Sequence, residues 1–247
     1  MVSVLAYTVL HYGSPYIGYA IAAAAPLVDE FLVVYCAHPS FGTDNHAALP
    51  AGESESDLRN AASQFVPESK ITWQSGRWYS ECDQRSVAIQ HAKKRGHDLI
   101  LALDYDEVWE AGPLAHAIGQ ANTDTQHMLF RTPMIHFWRG FGRVCRDSSC
   151  PVRLQKLTGS GEGYVGPNPA PCHFGYAIPD ALMRYKWSCH GHVAELRQDW
   201  LSKVWAAKSV TDVHPGNVNF WNAEPFDRTT LPAIMHQHPY FGLDWIE

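Results

Sequence analysis

LILALDYDEVWE (residues 99–110) is an apolar run that ends in three acids, Asp104, Asp106 and Glu107, with Tyr105 between the two aspartates. Asp98 to Leu103 reads as a buried strand, because short apolar runs without polar alternation belong inside covered sheets. Three acids within four residues repel one another, and a cation relieves that repulsion. In an extended segment residues i and i+2 point the same way, ~6–7 Å apart along the chain. That spacing suits Asp104 and Asp106 sharing a hard divalent cation, directly or through water. The competing reading of the same residues is an acidic turn that caps the next helix.

Upstream, strand-like and helix-like stretches alternate. Val2 to Leu10 reads as a strand, and Ser14-Pro15 then supplies an N-cap and first-turn proline for a helix that ends near Pro26. Phe31 to Tyr35 is a second strand, 37–56 a loop, Asp57 to Phe65 a short helix and Lys70 to Gln74 a third strand. Tyr79 to Arg95 is a helix whose last turn carries Lys93, Lys94 and Arg95, with Gly96 as its stop. Apolar strands separated by helices predict an α/β fold with a mostly parallel sheet covered on both faces. The acidic pair then falls at the carboxyl end of a strand, where open α/β sheets bind ligands.

Beyond residue 111 the pattern loosens. His127 to Trp138 and Arg153 to Leu157 read as strands, Gly159 to Pro171 as a Gly/Pro loop with no element of its own, and Pro179 to Trp187 and Ala194 to Ala207 as helices. Residues 209–247 form an irregular C-terminal extension. One domain is expected, with a first half over 1–110 and a second over 111–208.

The 247 residues carry a net charge of -6 and six cysteines without a CxxC, which fits reduced thiols better than a disulfide framework. No basic leader and no apolar run of about 20 residues is present, so a cytoplasmic protein is expected. Charge is uneven: 131–208 holds 11 Lys/Arg against 5 Asp/Glu, whereas 1–130 holds 7 against 15. A basic segment suggests an anionic partner or simply a solvated face. Arg139, Arg143 and Arg146 beside Trp138 and Phe141 have the composition of a phosphate-contacting, base-stacking surface. Trp73, Trp78, Trp109 and Trp138 offer flat faces for a sugar or base, or for the core.

Two enzyme classes share the acidic string. Asp104-Tyr105-Asp106-Glu107-Val108 matches the DxDx[TV] of haloacid-dehalogenase-like phosphatases, but there the motif sits on the first strand, and here three strand–helix units precede it. The chain more closely resembles family-2-like glycosyltransferases of the GT-A fold over residues 2 to about 110, most specifically in ECDQRSVAIQHAKKRGHDLILALDYDE (81–107). CHFGYAIPDALMRYK (172–186) is similar to the HYG-x-x-x-P-x-x-M-x-x-K stretch of some members. Where members carry an acidic pair and Gly-Ser after the second strand, this chain has Cys36-Ala37-His38-Pro39-Ser40.

The resemblance implies a nucleoside diphosphate sugar donor, Mn²⁺ or Mg²⁺ held by Asp104, Asp106 and a histidine, and an acceptor hydroxyl. His173 is the expected third ligand, with His190 and His192 as rivals. Tyr7 and Thr8 are expected at the base pocket, and Arg85 and Asp104 at the diphosphate. Asp180 and Glu162, ahead of Glu195, are the candidate bases for an inverting reaction. The basic segment adds an anionic acceptor: a phosphorylated glycan, a lipid-linked sugar or a modified nucleic acid base. A third reading, a zinc-stabilised binding module, would draw on Cys145, Cys150, Cys172, His173, Cys189 and His190, although their spacings follow no standard finger.

Overall fold

The computed structural model describes residues 2–39, 48–78, 80–146, 150–189, 196–216 and 221–245. The first elements are β1 (Val4–Leu10), α1 (Ser14–Ala24), β2 (Glu30–Cys36), α2 (Glu55–Ala62), β3 (Ile71–Gly76), α3 (Glu81–Arg95) and β4 (Leu99–Ala102). There follow β5 (Glu107–Val108), α4 (Ala111–Thr123), β6 (Leu129–Arg131), β7 (Ile135–Trp138), β8 (Arg143–Arg146) and β9 (Val152–Lys156). β10 (Glu162–Tyr164), β11 (Cys172–Tyr176), α5 (Asp180–Ser188) and β12 (Glu224–Pro225) complete the set.

One sheet has the strand order β10-β6-β9-β4-β1-β2-β3. Its pairs are parallel except those of β9, which is antiparallel to both β4 and β6. The fold is therefore mixed α/β with a mostly parallel central sheet. Alternation along β1 explains its two covered faces. Val4 and Ala6 pack with Ile17 and Ile21 of α1 and Leu114 of α4, whereas Leu5 and Tyr7 pack with Ala88 and Ala92 of α3. Because β2 and β4 flank β1 on opposite sides, the chain reverses its winding direction there, and the carboxyl ends of β1 and β4 form a switch point.

The second half departs from expectation in instructive ways. The single strand expected over 127–138 is two, broken at Thr132-Pro133-Met134. Pro133 cannot donate to a ladder, and the chain uses the break to pass from the first sheet to a second, ordered β12-β8-β7-β11-β5. The Gly/Pro loop contains β10, which pairs with β6 as a three-residue edge strand too short and polar to show a pattern. In the described part of 194–207 there is one wide helical turn, Leu201–Trp205. Gly13, not Ser14, is the N-cap of α1, and Glu53 from a distant loop accepts from Gly13 N (2.7 Å), Ser14 N (3.0 Å) and Ser14 Oγ (2.9 Å).

The second sheet is covered by aromatics. Phe137, Trp138, Phe141, Phe174, Trp200 and Trp205 are buried together, so Trp138 and Phe141 are core rather than a stacking surface. Arg139 is likewise interior: it lies 4.2 Å over the Trp205 ring and donates to the carbonyls of Trp205 and Trp245. Trp109 is buried, and Trp73 lies under Arg59. No helix among the described residues is long and apolar enough to cross a membrane.

At the amino-terminal end of the sheet, Glu30 accepts from Thr72 (2.7 Å) and Arg95 (3.2 Å) and meets the rings of His91 (2.9 Å) and His97 (3.2 Å). Burial alone would raise its carboxyl, but these hydrogen bonds outweigh burial and hold it down at about 2. The stability this adds is present above the unfolded value near 4.5 and is lost as pH falls toward about 2. Urea unfolding of Glu30→Gln should show a deficit of about 1–3 kcal/mol at pH 7 that narrows steadily below pH 4.5; a deficit independent of pH would contradict the clamp.

Candidate functional site

A cleft of ≈ 470 Å³ opens over the switch point, lined by Val9 to Tyr12 at and beyond the end of β1, Pro39 after β2, Gln84 and Arg85 on α3, and Asp104 to Asp106 after β4. Arg153, His173, Tyr176 and Lys186 close its other side. The acidic tip is shaped by backbone and packing. Glu107 N donates to Asp104 O (3.0 Å), and Phe174 N donates to Asp106 O (2.8 Å). Tyr105 packs edge-on to Tyr12 and fills the space over Gly13, where a Cβ would lie 2.1 Å from its ring. Gly13 also has φ 128°, so the tight approach requires glycine.

The three acids have separate fates. Arg153 lies near the start of the reversed strand β9, so its guanidinium arrives at the carboxyl end of β4. There it donates to Asp104 Oδ2 (2.9 Å) and to the fully buried Glu107. Burial would raise the Asp104 carboxyl, but the Arg153 and Arg85 guanidiniums outweigh it and bring it to about 2. Glu107 is pushed well above the usual carboxylate range, because burial exceeds the pull of Arg153. Asp106, 3% exposed, is also raised by burial and faces His173 Nε2 at 3.5 Å and Lys186 Nζ at 3.7 Å.

Asp106 and His173 have the chemistry and spacing to hold a divalent cation. Burial, aided by Lys186, lowers His173 to about 3, so its imidazole is neutral at pH 7, the form that ligates. The 3.5 Å gap is too long for a hydrogen bond, and it is the separation kept by two ligands each ~2.0–2.2 Å from one ion. Gly175 makes the room: a Cβ there would meet the His173 ring at 2.6 Å and Lys186 Nζ at 2.9 Å. Among the described residues no three His, Cys, Asp or Glu side chains converge on one point. Other coordination positions would therefore fall to ligand oxygens and water.

Of the residues singled out from sequence, Arg85, Asp104, Asp106 and His173 come together in the cleft. Tyr7 reaches it only through Arg85, whose Nη1 donates to the Tyr7 hydroxyl (2.9 Å), and Thr8 is buried beside Ile17 and Ala20. Asp180 and Glu162 do not line it: Asp180 accepts from Trp205 Nε1 (2.9 Å), and Glu162 pairs with Arg131 (2.7 Å) on the edge strand. His190, His192 and Glu195 lie outside the described residues. The six cysteines form no disulfide among the described residues, and Cys36, Cys145 and Cys172 are buried. Within the basic segment Arg139, Arg153, the Arg131 pair and the Arg197–Asp212 pair (3.0 Å) are engaged inside the chain, whereas Arg146 and Arg184 are exposed. A phosphatase would need Asp104 as a free nucleophile, whereas two guanidiniums engage it. Arg153 and Lys186 were not singled out. β9 reads VRLQK, in which nothing sets Arg153 apart, whereas Lys186 closes the resemblance at 172–186.

No protein-family model matches the chain, and no curated protein matches it. Among solved structures it is similar to a chain described as a nucleotide-diphospho-sugar transferase from Desulfovibrio desulfuricans G20 (10% identity, 64% of each chain, TM-score 0.37). It is also similar to glucosyl-3-phosphoglycerate synthase from Mycobacterium tuberculosis (12% identity, 53% of this chain and 43% of that chain, TM-score 0.36). A third is a cytidylyltransferase from Leptospira borgpetersenii (12% identity, 63% and 60%, TM-score 0.37). The matched regions span less than two thirds of those chains. Likenesses this loose add nothing to the strands and helices described above.

Removing Arg153 strips Glu107 and Asp104 of their shared cation. Arg153→Met should lower the unfolding free energy by about 3–5 kcal/mol in urea at pH 7. Adding Glu107→Gln should restore part of the loss, and strict additivity of the two changes would show that the pair does not interact.

Proposed function

We propose that the chain transfers a glycosyl group from a nucleoside diphosphate sugar to an acceptor hydroxyl, with Mn²⁺ or Mg²⁺ held at the donor. The observation that carries this reading is the convergence of Asp106 and His173 with Arg85, Arg153 and Lys186 in one cleft at the switch point. A leaving diphosphate develops negative charge, and preorganised cations in a partly desolvated cleft stabilise it far better than water does. Lys186 and Arg85 bring positive charge to the cleft, where Arg85 is also held by Glu81 of its own helix. Arg153 offsets the charge of Asp104, and burial holds Glu107 toward its neutral form, so the tip repels the donor less.

Asp106 and His173 would hold the cation, which when bound supplies Lewis-acid and template chemistry to the diphosphate. Tyr12 and Tyr176 offer ring faces to the sugar or base and exclude water around them. Tyr7 holds Arg85 from below, so its contribution is orientation rather than contact.

A thermal-shift panel of UDP, GDP, CDP and their hexose conjugates, each with Mn²⁺, Mg²⁺ or chelator, tests class and donor together. At least one nucleotide should raise the melting temperature by several degrees only when metal is present, and Asp106→Asn should abolish the rise. If no nucleotide shifts the protein with either metal, the proposal fails.

A further inference from the structure

Inside the second sheet two histidines stand side by side. His136 of β7 and His173 of β11 are direct partners in a parallel pair, so their side chains share a face. Their rings lie at 78° to each other with Nδ1 to Nδ1 at 2.8 Å. The His136 ring is itself stacked on Trp221, with centroids 4.5 Å apart and planes at 30°. His136 does not line the cleft itself and reaches it through His173.

A 2.8 Å contact between two ring nitrogens requires that one carry hydrogen and the other a lone pair. Two arrangements are open. If His136 donates, the His173 proton sits on Nε2 and points at Asp106, making an N–H···O contact of 3.5 Å, beyond hydrogen-bonding range. If His173 donates from Nδ1, its Nε2 keeps a bare lone pair facing the Asp106 carboxylate. Bare nitrogen and carboxylate at that distance attract only when a cation lies between them. The missing Cβ of Gly175 leaves room for the His173 ring in this position.

We infer that His136 is a positioning residue, which accepts the Nδ1–H of His173 and so presents the His173 Nε2 lone pair, together with Asp106, to a divalent cation. The inference rests on the metal reading under the proposed function and deepens it. Histidines that ligate metals ordinarily need such an outer partner, and losing it typically costs 10–100-fold in metal affinity. The sheet register supplies the partner here, and the Trp221 stack keeps its ring from turning away.

Mn²⁺ binding followed by electron paramagnetic resonance, with UDP or GDP present and no turnover measured, tests this on three proteins. His136→Leu removes the acceptor and should weaken Mn²⁺ binding about 10–100-fold. His136→Asn places an acceptor oxygen the same number of bonds from the backbone as Nδ1, and should bind within about threefold of the unaltered protein. Melting temperatures in chelator show whether either variant fails to fold, and ¹⁵N spectra of labelled histidine in the protein saturated with diamagnetic Mg²⁺ and nucleotide should show the Nδ1–H form of His173. Equal binding by His136→Leu and the unaltered protein, or an Nε2–H form of His173 with Mg²⁺ bound, overturns the inference. Equal losses in Leu and Asn would make His136 a packing residue only. If the unaltered protein takes up no Mn²⁺, the metal reading itself falls, and that result is distinct from a defect confined to the variants.

Discussion

The arrangement turns on one guanidinium. Three acids within four residues at a strand tip cannot coexist beside a buried sheet without positive charge. Arg153 supplies it because β9 runs against its neighbours. The start of a reversed strand lies level with the ends of the strands beside it, so an arginine at its second residue reaches Asp104 and Glu107. With those two drawn to Arg153, Asp106 is left for His173 and Lys186. The cation that the acidic string demands is thus in large part already in the chain, and a metal ion has one carboxylate and one imidazole to bind.

Backbone economy keeps the tip in place. Tyr105 lines the cleft with its aspartate neighbours and is also packed against the helix start. It wedges over Gly13 at the start of α1, and Glu53 caps the same helix start. The antiparallel pairing of β5 with β11 then joins the tip to the histidine strand, placing Glu107 opposite His173. Gly13 and Gly175 do similar work on the two sides of the cleft: each leaves out a Cβ where an aromatic or imidazole ring must touch the main chain.

What the sequence discloses follows the range of the interactions involved. β1 to β4 and α1 to α3 are legible because each buries a continuous or periodic apolar face, and the cap residues Ser80 and Gly96 mark α3 locally. Arg85, Asp104, Asp106 and His173 are legible because motif spacing survives without coordinates. The reversal of β9, the crossing between sheets at Pro133 and the His136–His173 pair depend on contacts between residues 37 or more apart, which no local pattern encodes. Composition misleads once: the basic stretch around Trp138 looks like a surface for phosphates, and burial makes it the aromatic floor of the second sheet, with Arg139 as its internal cation.

The most direct test of the account is ³¹P relaxation of UDP or GDP with substoichiometric Mn²⁺, in the presence and absence of the protein. A diphosphate seated over Asp106 and His173 should relax markedly faster with the protein than with Mn²⁺ alone, and the enhancement should vanish in Asp106→Asn. Phosphorus relaxation unchanged by the protein for both nucleotides, or equally enhanced in Asp106→Asn, would contradict the placing of the donor in this cleft.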